Sequence, residues 1–286
     1  MEIQSVPAWI WGRFNGAALN VGADTPEDYW RRVEAPTKEI TIRRIGVADL
    51  GAAIRGGIED FKANRTDVLF LCLFYPITGL VLGRLASGYD MIPLLFPLIS
   101  GFALVGPIAA IGLNEMSRRR ALGAEVSWTD AFGVLRSPSI GAIALLSLVL
   151  IVLFFSWLGA ATAIYNATLG PLPPASFSAF AQDVLTTPAG HKMIGLGMFV
   201  GFWFALVVLA ISIVSFPLLL DRKASFLDAV GTSLRAVIAN PGPVAAWGAI
   251  VAAGLVLGSL PVFLGLIVVM PVLGHATWHL YRRLIA

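Results

Sequence analysis

His275 and His279 stand four residues apart near the end of a long apolar run, a spacing that turns both imidazoles to one face of a helix. Two neutral imidazoles so arranged are ligands for zinc, copper or haem iron, with Glu115 or Asp221 as a candidate carboxylate to complete the set. The strong HExxH form is absent, because Ala276, Thr277 and Trp278 separate the pair. A plainer reading competes and has the better support. In it, His275, Trp278, His279 and Tyr281 form an interfacial belt that hydrogen-bonds to headgroups or neighbouring helices. Asn114 and Glu115, and then Asp221 and Arg222, follow two other apolar runs. Counted from Pro107 and Pro271, Glu115 and His279 both fall at plus eight; counted from Pro217 and Pro271, Asp221 and His275 both fall at plus four. Helices packed side by side would gather all six groups in one inner-leaflet polar cluster. The sequence contains no nucleophile elbow, P-loop or dinucleotide fingerprint, so no catalytic residue is assigned and the chain is not expected to be an enzyme. His191, beside Lys192, reads as surface, and the single cysteine, Cys72, as a small buried hydrophobe.

The elements that must hold these groups are membrane helices. Of 286 residues, 57% are hydrophobic and 13% charged, and the mean hydropathy is +0.82. A soluble globule of this size cannot hide so much apolar surface, which excludes a soluble enzyme, and the same composition excludes a disordered or collagen-like chain. Crossing a core of about 30 Å takes roughly 20 apolar residues. Runs at 67–86, 91–113, 139–166 and 193–220 qualify, and the block from Pro243 to Tyr281 divides at Gly258-Ser259-Leu260-Pro261 into spans at 243–258 and 261–281. The chain therefore reads as an all-α polytopic bundle of six transmembrane helices (46–286) behind a cytoplasmic N-terminal segment (1–45).

Charge sets its direction. Eighteen of the 20 Lys and Arg residues fall on one side of the six spans, leaving Arg84 and Lys192 on the other. The positive-inside rule then puts both termini in the cytoplasm. The first thirty residues lack the layout of a signal peptide, so the spans themselves must direct insertion. Residues 1–66 carry nine basic and nine acidic side chains and no basic aromatic stripe, which argues against nucleic acid and assigns the cationic flanks to membrane lipids.

Three stretches ahead of odd-numbered spans resemble one another: Ala48-Asp49-Leu50 to Arg55, Thr129-Asp130-Ala131 to Arg136 and Leu227-Asp228-Ala229 to Arg235. Each starts with an Asp suited to a helix N-terminus and ends on an Arg about two turns later. Apolar stripes (Val47, Leu50, Ile54, Ile58 and Phe61; Phe226, Val230, Leu234 and Val237) make them interfacial elbow helices, at about 47–63, 127–137 and 225–239. The even spans echo too, since Pro107 precedes Arg118 and Arg119 by the distances that separate Pro271 from Arg282 and Arg283. The architecture expected is three repeats of elbow, span and proline-broken span.

Several strings resemble the bacterial predicted integral membrane proteins grouped as domain of unknown function 2189. They are Asp60-Phe61-Lys62-Ala63-Asn64-Arg65, Tyr75-Pro76, Phe216 to Arg222, Asn240-Pro241-Gly242-Pro243 and Gly274-His275-Ala276-Thr277-Trp278-His279-Leu280-Tyr281-Arg282, so that the likeness covers about residues 40–286. The resemblance implies a multi-pass protein of the bacterial inner membrane and supplies no reaction. Three readings of function remain. The first is a non-catalytic component that binds or organises lipids or other membrane proteins. The second is a metal- or haem-binding protein that uses His275 and His279 in respiratory-complex assembly. The third is a transporter of a small apolar or amphipathic solute. Oligomeric state is not legible.

Overall fold

The computed structural model describes residues 40–63, 84, 92–261 and 263–286. The expected first span at 67–86, with Cys72 and Pro76, and residues 1–39 of the N-terminal segment lie outside the described residues. Ten α-helices lie wholly among the described residues: α1 Val47–Ala63, α2 Leu95–Phe102, α3 Gly106–Ala121, α4 Ile140–Thr168, α5 Phe177–Thr186, α6 Pro188–Ser212, α7 Ser215–Asp221, α8 Phe226–Ala239, α9 Pro241–Ser259 and α10 Leu266–Leu284. Short 3₁₀ segments lie at Ile92–Leu94, Ala103–Val105 and Trp128–Arg136. Among the described residues, four stretches are long and apolar enough to cross a membrane: Ile92–Ala121, Ile140–Thr168, Pro188–Asp221 and Pro241–Ser259. Helix α10, read from sequence as the span 261–281, is not among them, because His275, Thr277, His279, Arg282 and Arg283 make its second half polar. It packs against α1, α3 and α9.

The three elbow stretches are two α-helices, α1 and α8, and the 3₁₀ segment Trp128–Arg136. All three start alike. The Asp sits at the third helical position and accepts the N–H of the capping residue: Gly46 to Asp49 at 2.9 Å, Ser127 to Asp130 at 2.8 Å and Ser225 to Asp228 at 3.4 Å. The Asp thus closes the first turn from inside it rather than capping from outside. The buried faces differ from the apolar stripes read in sequence. Helix α1 buries Leu50, Ala53, Gly57 and Asp60, while α8 buries Ala229, Thr232, Ser233 and Ala236. Small residues face the bundle because they allow close backbone approach. Bulky ones such as Val47 (76% exposed) and Ile238 (79%) point outward.

Proline shapes the even spans. Its ring removes a backbone donor and crowds the carbonyl four residues earlier. The 3₁₀ segment Ala103–Val105 accordingly lies just before Pro107, and α6 gives way to α7 just before Pro217. At that second break the Ser233 hydroxyl donates to the Ala210 carbonyl at 2.7 Å and accepts the Val214 N–H at 3.3 Å. An elbow side chain therefore occupies the place of a missing helical rung, a satisfaction that a dry interior demands.

Candidate functional site

The polar residues expected to cluster lie at the end of the bundle that holds the C-terminal turns of α3, α7 and α10. They form three groups there. The first is buried between α1, α3 and α10. Ser117 Oγ donates to Asp60 Oδ2 at 2.6 Å and lies 2.8 Å from His275 Nδ1, while His279 Nε2 reaches the same carboxylate oxygen at 2.9 Å. Because the hydroxyl proton is committed to Asp60, His275 Nδ1 is the donor to Ser117, and the bare nitrogen of His275 is Nε2. Arg120 adds a contact of 3.3 Å to Asp60 Oδ1 and donates to the Glu59 carbonyl at 3.0 Å. Burial pushes the Asp60 carboxyl up, but hydrogen bonds from His279 and Ser117 and the charge of His279 outweigh it, so its pKa falls below the ordinary 3.8.

Two glycines make room for this group. A Cβ on Gly57 would sit 2.6 Å from the Val272 carbonyl oxygen and 2.7 Å from Ala276, and one on Gly56 would sit 2.7 Å from the His279 ring. Helices α1 and α10 therefore touch backbone to backbone. His275 is fully buried, and among the described residues its Nε2 has no hydrogen-bond partner; the same holds for Asn114 Oδ1 on α3.

In the second group Glu115 is gripped by Arg118 (2.7 Å) and Arg119 (2.8 Å), and Arg119 reaches on to Asp130 at 2.5 Å. The third joins Asp221 to the Tyr281 hydroxyl at 2.7 Å, to Arg282 at 3.5 Å and to Arg222 at 4.0 Å, and Arg222 also donates to the Ala286 carbonyl at 2.8 Å. Glu115 and Asp221, the carboxylates considered as metal ligands, thus pair with arginines and a tyrosine. Among the described residues, no group of three or more His, Cys, Asp or Glu is arranged to hold a metal ion. His191 is exposed and bonds the Leu185 carbonyl at 2.9 Å.

A backbone clasp ties the ends of the described chain together. Ile42 and Ile285 form an antiparallel bridge, Arg43 N–H donates to the Leu284 carbonyl at 2.8 Å, and Ala286 N–H donates to the Thr41 carbonyl at 3.0 Å. Asn240 holds the other side, accepting the Ile45 N–H at 2.8 Å and donating to the Arg43 carbonyl at 3.0 Å. Arg283 meets Asp49 at 2.9 Å. The Gly46 N–H, and after it Arg283, lower the Asp49 pKa. Beside the clasp opens a cleft of about 480 Å³, lined by Arg43, Arg44, Asp49, His279, Arg282 and Arg283.

Sequence reading missed Asp60 and Ser117 as members of the site. The available signal was Asp60 itself, an acidic residue on the face where α1 carries Leu50, Ala53 and Gly57.

Residues 95–221 match the family model described as "Predicted integral membrane protein (DUF2189)". No curated protein and no solved structure matches the chain.

Proposed function

We propose that this integral membrane protein is a non-catalytic component of the bacterial inner membrane that binds or organises other membrane components, lipids or proteins. The carrying observation is how its polar groups are used. Asp60, Ser117, His275, His279, Glu115 and Asp221 bind one another or nearby cations and so fasten elements together, while an arginine-lined cleft beside them stays open to a ligand. The exposed apolar side chains of the spans, among them Phe155, Phe199 and Phe202, suit a lipid surround.

The proposal includes six spans, both termini in the cytoplasm, and three repeats closed into a ring. Two ion pairs support the ring. Arg119, twelve residues after Pro107, meets Asp130 of the second elbow, and Arg283, twelve after Pro271, meets Asp49 of the first. The end of one repeat thus grips the start of the next, and the third returns to the first.

Gentle detergent extraction of the tagged full chain, followed by mass spectrometry, tests the function. Reproducible co-purification of particular lipids or membrane proteins is expected. A chain that leaves the membrane with neither overturns the reading.

A second reading, metal or haem binding, draws on the unpartnered His275 Nε2. It requires bound metal or a Soret band in the purified protein, lost on replacing His275 and His279 by Ala. A transporter reading has less support, because the cleft's described lining comes from residues 43–49 and the last two turns of α10, not from the apolar middle of a span.

A further inference from the structure

We infer that the cleft between residues 43–49 and the last two turns of α10 is a binding site for a phosphate-bearing anion. The inference rests on the binding reading above and names the chemistry of its ligand. Four arginines, Arg43, Arg44, Arg282 and Arg283, line the cleft with Ile45, His279 and one acidic residue, Asp49, which is already engaged by Arg283 at 2.9 Å. Arg282 shares Asp221 at 3.5 Å, whereas Arg43 and Arg44 make no side-chain hydrogen bond or ion pair among the described residues.

These like charges come from opposite ends of the described chain and are brought together by backbone. Arg43 N–H is bonded to the Leu284 carbonyl and the Arg43 carbonyl to Asn240, so the peptide carrying Arg43 and Arg44 is fixed beside α10. Holding cations side by side in this way is unfavourable unless an anion joins them. A planar guanidinium offers paired N–H donors that match two phosphate oxygens, which makes arginine the suited residue for a phosphate group. The volume, about 480 Å³, falls within the range of small-ligand sites and admits a phosphate with a polyol headgroup attached. The chemistry is shared by two sources, an anionic phospholipid headgroup and a free phosphate.

The test uses the full chain purified in a neutral maltoside detergent. Binding of dihexanoyl phosphatidylglycerol below its micellar concentration, of dihexanoyl phosphatidylcholine and of inorganic phosphate is measured by calorimetry. The variant is R43Q/R44Q, chosen because these two side chains make no hydrogen bond or ion pair among the described residues, and its unliganded melting temperature should equal that of the parent. Saturable binding of phosphatidylglycerol over phosphatidylcholine, weakened on the order of tenfold in the variant, supports the site with a lipid headgroup as its source. Equal or tighter binding of inorganic phosphate, weakened likewise, supports it with free phosphate as the source. Absence of saturable binding to the parent, or binding unchanged in R43Q/R44Q, overturns the inference. If either failure occurs while membrane partners still co-purify, the broader function stands; if those are lost as well, both fall.

Discussion

Asp60 places a negative charge where Ser117, His279 and Arg120 all converge on it. Replacing it by Asn keeps the shape but leaves an Arg and a His facing a neutral amide in a buried place. D60N is expected to lower stability by about 3 kcal/mol, read as a drop in detergent melting temperature. S117A leaves the His275 Nδ1–H without its acceptor and should cost about 1–3 kcal/mol. The acid response follows from the same carboxylate. Its pKa is depressed below 3.8 on folding, so the folded chain takes up this proton less readily than the unfolded one. Its contribution is complete above 3.8 and is lost as pH falls through the lower, folded value. The melting-temperature gap between the parent and D60N should therefore narrow below pH 3.8. A gap that widens on acidification refutes this account. The two histidines were legible in sequence from their spacing. Asp60 and Ser117 were not, since only tertiary packing brings α1 and α3 to them.

At the scale of elements, the elbows were visible from their Asp residues and helical spacing, but their orientation was not. An apolar stripe suggests an inward face in water; in a membrane apolar surface is cheap to expose, and close contact falls to small residues. This predicts a contrast between two glycines. In α1, G57A forces a methyl group against the Val272 carbonyl oxygen, with backbone on both sides and no flexible neighbour to yield. It should destabilise by about 1–3 kcal/mol. In α8, a Cβ on Gly231 meets nothing within 4 Å, so G231A should stabilise by about 0.5–1 kcal/mol through helix propensity. Paired thermal melts of the two variants check the contrast. The proline breaks were likewise expected, whereas the serine that bridges one of them, Ser233, comes from a different element, α8, and carries no sequence signal of that role.

For the molecule as a whole, composition and hydropathy made the all-helical membrane character plain, and four stretches of suitable length and apolarity bear it out. Arg43, Arg44, Arg118, Arg119, Arg120, Arg222, Arg282 and Arg283 gather at the end where α3, α7 and α10 finish. A phosphatase reporter joined after Ala286 should therefore be inactive, and a fluorescent protein there should glow; the reverse pattern would turn the molecule over. The contact between α1 and α10 also has a temporal side. The Asp60 carboxylate emerges from the ribosome 219 residues before His279. At about 5–20 residues per second, the first elbow waits roughly ten to forty seconds for the helix that shelters it. During that interval the Gly56–Gly57 face of α1 lacks the α10 backbone that packs on it. A nascent chain that ends before α10 would thus leave uncovered the glycine-notched face of α1 on which Val272, Ala276 and His279 sit in the folded protein.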